Sequence, residues 1–281
     1  MKKLITICAM IVLFSTGYAR AGTWTTLDMP EADKTVAKGI DGSNIVGKGI
    51  YWNDPSGNEH AFLYNMITQS WNTVFPNTRA SGIDGSNIVG DNWLYNMTTQ
   101  TLTTINMPGA IRTDSYGIDG GNIVGTYDND EHSFLYNMTS NSWTTLDMPG
   151  AYVVMALGID GDNIVGCYAD ASYGEHGFIY NMTSDSWTTL DMPGADMTEV
   201  WDIDGSNIVG SYDGHGFLYN MTTQNWTTLD YPGAYYTVAA GISGSNIVGW
   251  YDDAHGFLYT IPEPATLLLL GLGAVMLRKK R

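Results

Sequence analysis

Short apolar bursts alternate with polar turns through the middle of the chain, and none keeps the 3.6-residue spacing of an amphipathic helix. The clearest burst is Gly-Ile-Asp-Gly-Ser-Asn-Ile-Val-Gly. It begins at Gly39, Gly82, Gly117, Gly158, Asp202 and Gly241, with Gly121, Asp162 and Ser243 as internal changes. Gly and Asn between two apolar pairs accept the positive φ of a tight β-turn, so each copy predicts a hairpin. A second burst, aromatic-Leu/Ile-Tyr, starts at Phe62, Trp93, Phe134, Phe178, Phe217 and Phe257. A turn of the Asn-Met-Thr-Thr-Gln type leads from it to a third, Trp-Thr-Thr-Leu-Asp-Met-Pro or a variant. That third burst starts at Trp24, Trp71, Thr101, Trp143, Trp187 and Trp226.

Successive units step by 35 to 44 residues, a period that signals a propeller or solenoid. Each unit reads as four strands; in the last these are Thr237–Ile242, Asn246–Tyr251 and His255–Tyr259, with Asn225–Asp230 as the fourth strand of the unit before. Four strands per ~40 residues make a propeller blade, whereas a β-helix needs shorter coils. The copies are offset at the ends: Trp24-Thr25-Thr26-Leu27 has no preceding partners, and the last unit stops without its fourth strand. The prediction is an all-β, six-bladed propeller over residues 22–260, closed by the N-terminal strand so that no sheet edge is left between the ends.

Composition agrees with an all-β body, being rich in Gly, Thr, Asn and aromatics and only 15% charged. Lys2, Lys3 and Arg20 precede the body and Arg278 to Arg281 follow it. Between Gly22 and Thr260 five basic residues stand against 28 acids, a net of −23. Such a surface repels phosphate and excludes a nucleic-acid partner.

The ends read as addresses. Lys2-Lys3, the apolar run Leu4 to Phe14 and Ala19-Arg20-Ala21 form a secretory signal over residues 1–21, with cleavage after Ala21. Cys8 leaves with it and Cys167 stays alone, so no internal disulfide is expected. At the other end Pro262-Glu263-Pro264, the apolar stretch Ala265 to Leu277 and a basic tail make a segment over 261–281. As a helix the apolar stretch reaches roughly 20 Å, short of the ~30 Å hydrocarbon core, and suits transient rather than permanent insertion. The basic cluster stays cytoplasmic under the positive-inside rule. This ending resembles the PEP-CTERM sorting signal of Gram-negative bacteria. The resemblance implies an integral-membrane exosortase as processing partner, cutting near Pro262-Glu263-Pro264 and removing Ala265–Arg281, and a link to exopolysaccharide production.

The repeat itself resembles two families. Tyr219 to Leu229, with a Tyr, a turn and a Trp, is similar to the third-to-fourth-strand turn of kelch repeats, without their double glycine. Asn-Ile-Val-Gly combined with His60-Ala61-Phe62-Leu63-Tyr64 is closer to the bacterial HAF repeat, over almost all of Gly22 to Thr260. That likeness implies architecture and export, not an activity.

Chemistry is sparse. His60, His132, His176, His215 and His255 share one repeat position before the third strand, which points to a structural job such as a hydrogen bond to the neighbouring blade. Asp41, Asp84, Asp119, Asp160 and Asp204 read as turn formers. Asp128-Asn129-Asp130-Glu131 and Asp252-Asp253 offer clustered oxygens to calcium, but no Asp-x-Asp-x-Asp-Gly loop occurs, and a solvated acidic loop is the simpler expectation. The Asn-x-Thr triplets at Asn96, Asn137, Asn181 and Asn220 read as turns rather than glycosylation acceptors. No nucleophile-base pair or phosphate loop is visible, so no catalytic residue is predicted. Loops before the first and third strands share one face, which carries Tyr51, Trp52, Tyr152, Tyr173, Tyr235 and Tyr236. Aromatics among acids and amides can stack on sugar rings, so these six are the candidate binding residues. The reading is a non-catalytic exported surface or matrix propeller binding exopolysaccharide or another envelope component. A secreted propeller glycoside hydrolase or lyase is the alternative.

Overall fold

The computed structural model describes residues 22–54, 59–128 and 132–262. Residues 1–21, on which the predicted signal peptide with Ala19 and Ala21 falls, and the tail from Glu263 and Pro264 onward lie outside the described residues. Thr23–Ile261 form one compact unit of six four-stranded antiparallel sheets, with no helix among the described residues. In five sheets the strands follow chain order from the innermost, a, to the outermost, d, and in the sixth the first three do while the d strand comes from the N-terminus. The a strands are Lys34–Asp41, Gly82–Asp84, Thr113–Asp119, Val153–Asp160, Thr198–Asp204 and Thr237–Ser243, and each touches the next around a closed ring. The predicted strands of the last unit agree with the observed ones to within a residue.

Closure is as the offset of the repeats predicts. Thr23–Leu27 pairs antiparallel with His255–Thr260 as the d strand of the sixth blade, Trp24 opposite Tyr259 and Leu27 opposite Gly256. Trp24 packs on Tyr259, Phe257 and Tyr231 at ring separations of 4.6, 5.0 and 5.4 Å. Thr26 Oγ1 lies 2.6 Å from the Tyr231 hydroxyl of the preceding blade's outer connection.

The Ile-Val pair explains how blades stack. Successive strand residues point to opposite faces, and both faces of a blade are covered. Ile164 therefore meets Val124 of the blade before it, Ile208 meets Val165, Ile247 meets Val209, and Ile45 meets Val248 across the closure. Phe62, Phe134, Phe178, Phe217 and Phe257 fill the same layers and are fully buried. In five blades the outer Trp of the d strand half-covers this core; Trp187, for example, lies against Phe178 and Tyr180.

The repeated aspartates do more than form turns. Asp41, Asp84, Asp119, Asp160 and Asp204 each accept a hydrogen bond from the turn glycine of the following blade, at Gly85, Gly120, Gly161, Gly205 and Gly244. Ser243 completes the circle by accepting from Gly42 N at 3.1 Å. The hairpin carboxylates are thus blade-to-blade clasps, which is why the short hydroxyl of Ser243 serves in the sixth copy. The Asn-Met-Thr turns behave as read: Asn181 Oδ1 accepts from Ser184 N at 3.0 Å while its amide nitrogen donates to Asn163 Oδ1 at 2.9 Å.

Candidate functional site

The b–c loops and the d–a connections meet on one face of the ring. The histidines stand there as struts. His176 Nδ1 lies 2.9 Å from Asp191 and its ring stacks on Tyr168 at 5.2 Å; His215 repeats this with Asp230 and Tyr212, and His255 with Asp28 and Tyr251. Each partner belongs to the same blade's outer strand end, so the expectation of a bond to the neighbouring blade is corrected. The cause is register: the His at the start of strand c falls directly opposite the Asp that follows strand d. His60 departs from the pattern, contacting Asp54 at 3.0 Å. In the second blade Asn92 and Asn106 replace the pair, amide to amide at 3.2 Å.

The six candidate aromatics divide into two groups. Trp52, Tyr152, Tyr173 and Tyr235 are 62, 65, 71 and 96% exposed. Tyr152 and Tyr173 form a T-shaped pair with ring centroids 5.4 Å apart. Tyr51 and Tyr236 are half-buried. Tyr51 packs on the His60 ring at 4.8 Å and is a member of a Tyr-His strut. Burial, with a hydrogen bond to the carboxylate of Asp253, pushes the Tyr236 phenol up to about 12. The loop acids are also occupied: Asp252 accepts from Tyr235 N at 2.8 Å and Asp128 from Ile111 N at 2.7 Å. Asn129, Asp130 and Glu131 lie outside the described residues.

Two features of this region are not visible as motifs. The second blade has a, b, c and d strands of only three or four residues and a b–c loop of Asp91-Asn92. The rim dips there into an open cleft of about 410 Å³, lined by Asp91, Asn92, Asn106, Ile111, Arg112 and Asp114 among others. Its wall is a charge network in which Asp114, 4% exposed, receives Arg79 at 2.9 Å and Arg112 at 2.6 Å, while Arg79 Nε also lies 2.8 Å from Asp91. Ile111 stands at its edge, 92% exposed.

The second feature is the axis. The a–b pairing slips by one residue in five blades, immediately before the position of the glycine that opens the repeated burst. The residue left over by such a bulge is turned out of the ladder. Here those residues are Lys38, Tyr116, Leu157, Trp201 and Ala240, which with Ser81 of the second blade line the axial cavity. The axial space is small, two pockets of about 20 and 40 Å³ that share this lining, enough for a few waters but not for a sugar ring. Asp202 replaces a glycine at the next position and is the one carboxylate in its lining. Burial pushes this carboxyl up to about 7 against hydrogen bonds from the Ile242 and Ile203 amides that pull it down. The folded protein therefore holds a proton at Asp202 that the unfolded chain has released. The resulting stabilisation is fully present below about pH 4 and is lost as pH rises to about 7. Asp202→Asn is expected to remove that slope, by up to ~1.4 kcal/mol per pH unit. Denaturant unfolding at pH 4 and pH 7.5 checks this: the variant should match the parent at the lower pH and exceed it at the higher one.

Residues 260–281 match the model of the PEP-CTERM protein-sorting motif. The motif is a sorting signal recognised by exosortase, and it marks the chain for export and sorting to the cell surface of Gram-negative bacteria. No curated protein matches the chain. Among solved structures, an inactive virginiamycin B lyase from Staphylococcus aureus, crystallised with quinupristin, superposes with a TM-score of 0.50 at 10% identity. That match covers 85% of this chain and 99% of the lyase. TolB from Acinetobacter baumannii gives 0.49 at 12% identity over 79% of this chain and 65% of TolB. The computationally designed Ika8 protein gives 0.45 at 11% over 81% and 71%. At these identities the likeness to the lyase concerns fold alone.

Proposed function

We propose that the protein is a non-catalytic propeller of the cell surface or extracellular matrix that binds exopolysaccharide through its loop face. The observation that carries this reading is the coincidence, on one face, of four exposed aromatics with an open cleft of about 410 Å³. That volume falls within the range of ligand pockets. Carboxylate, amide and guanidinium groups of the cleft suit sugar hydroxyls, and the Tyr152–Tyr173 pair offers rings for stacking. The cleft carboxylates support binding over hydrolysis: Asp91 and Asp114 are both engaged by Arg79, and Asp114 by Arg112 as well, whereas a glycosidase needs one carboxyl group as a proton donor and a second as a base or nucleophile facing one bond. Export through the sorting motif places such a binder where polysaccharide is, after transient insertion of residues 265–277 in the inner membrane.

A glycan array read alongside a hydrolysis screen tests the proposal. The parent is expected to bind one class of glycan without turnover, and Tyr152→Ser/Tyr173→Ser to weaken binding about tenfold with unchanged thermal unfolding. Release of reducing sugar by the parent, or full binding by the double variant, would sink the reading.

A further inference from the structure

All five basic residues of the body, Lys34, Lys38, Lys48, Arg79 and Arg112, fall in its first three blades or their connections. Three of them are matched by carboxylates: Lys48 with Glu59, Arg79 with Asp91 and Asp114, and Arg112 with Asp114. Lys38 is different. Its ammonium stands 5.5 Å from the Trp201 ring centre and 5.9 Å from that of Tyr116, and among the described residues it has no ion-pair partner. Ring faces attract a cation but do not neutralise it. Lys38 is half-buried, and a charge drawn partly out of water without an adjacent counter-charge is costly, the usual remedies being loss of the proton or capture of an opposite charge.

The same cavity holds a second unspent donor. Ser81 is 8% exposed and its hydroxyl has no hydrogen-bond partner among the described residues, although it lines the axial cavity together with Lys38. A buried hydroxyl left unsatisfied costs about 1–3 kcal/mol. An ammonium and an orphaned hydroxyl facing one small space form a donor pair without an acceptor. Asp202 does not supply it, because its Oδ2 accepts from Ile242 N at 2.9 Å and burial favours its neutral form. We propose that the axial cavity is a site for one small monovalent anion, a halide or a carboxylate of formate size, held by Lys38 Nζ and Ser81 Oγ against the rings of Tyr116 and Trp201. Burial and the nearby Arg79 and Lys48 charges pull the Lys38 ammonium down to about 8, as expected for a cation lacking its counter-ion. The axial pockets, about 20 and 40 Å³, limit the anion to this size.

Thermal unfolding of the full protein at fixed ionic strength in sodium chloride, sodium formate and sodium gluconate tests the site, gluconate being too large to enter. A saturable rise in melting temperature of several degrees is expected in chloride or formate over gluconate, with the larger of the two identifying the preferred anion. The rise should vanish in Lys38→Met, which keeps the side-chain length, and shrink in Ser81→Ala. Broadening of the ³⁵Cl resonance by the parent but not by Lys38→Met provides a readout independent of stability. Equal melting in all three salts, or the same rise in Lys38→Met, overturns the proposal, and neither outcome bears on glycan binding at the loop face.

Discussion

Deleting Gly22 to Pro30 is expected to lower the melting temperature by roughly 15 °C or more, or to leave the protein insoluble, whereas removing nine residues from the C-terminus changes nothing in the melt. The first deletion strips the d strand from the sixth blade and leaves the edge of His255–Thr260 without its ladder. It also removes Leu27 and Met29, 5% and 7% exposed, from the cluster that contains Ile45, Phe62 and Val248 across the closure. Losing a buried Leu or Met costs about 2–5 kcal/mol each, so the pair approaches the whole ~5–15 kcal/mol stability of a domain. At this chain length each kcal/mol corresponds to roughly 2–4 °C. The anchors beyond the strand go too: Met29 N donates to Thr35 Oγ1 at 2.8 Å, and Asp28 is the strut partner of His255. The last nine residues fall outside the compact unit Thr23–Ile261. Differential scanning calorimetry of the two deletions decides the matter, and a synthetic Gly22–Pro30 peptide added to the truncated protein should restore the transition. An N-terminal deletion melting with the intact protein would mean that the ring does not depend on its clasp.

The clasp is legible in the sequence because the repeats are offset, and an offset is a statement about topology. Blade number, strand order and the all-β class follow from the same spacing. What the spacing does not carry is which residues the ring turns inward. Lys38, Ser81, Tyr116, Leu157, Trp201 and Ala240 each stand just before the glycine position of the repeated burst, and they are the most varied residues of that neighbourhood. Six different side chains at one position of a regular motif are the mark of a site free of the blade's packing, and that signal is in the sequence. It takes the bulge to explain it, since an unbroken strand would have pointed the position into a neighbouring blade. The cleft at the second blade was likewise foreshadowed only by a short loop, Asp91-Asn92. Loop position marks the aromatics of this face but does not separate Tyr51, held under the His60 ring, from Tyr152, which stands in solvent. The Asp clasps look like turn residues because the bond they make is with a residue some 40 positions away.

Gly166→Ala is expected to destabilise the protein by about 3 kcal/mol or more, a drop of roughly 10 °C, while Gly161→Asn, five residues earlier in the same hairpin, costs about 1 kcal/mol or less. Both glycines belong to the repeated burst, and both look like turn residues. They differ in what limits them. Gly161 has φ +54°, with nothing within 4 Å of where a side chain would begin, and Asn adopts that left-handed backbone at little cost. Its amide still donates to Asp119, so the blade clasp survives. Gly166 lies in the b strand opposite Ala156, at the bulge that aims Leu157 toward the axis. A methyl group there would strike the Met155 carbonyl oxygen and come within 3.0 Å of the Phe178 ring. Backbone on one side and a fully buried ring on the other leave no rotamer to yield, so the cost lies at or above the 1–3 kcal/mol usual for overpacking. The equivalent glycines, Gly47, Gly125, Gly210 and Gly249, meet the same carbonyl and the same ring in their own blades. The glycine of Ile-Val-Gly thus lets the innermost strand bulge against its neighbour, and the bulge lets the axis hold side chains of any kind. Chemical denaturation of both variants separates the two roles. Equal losses would mean that turn conformation, and not the close approach beside the bulge, is what the glycine serves.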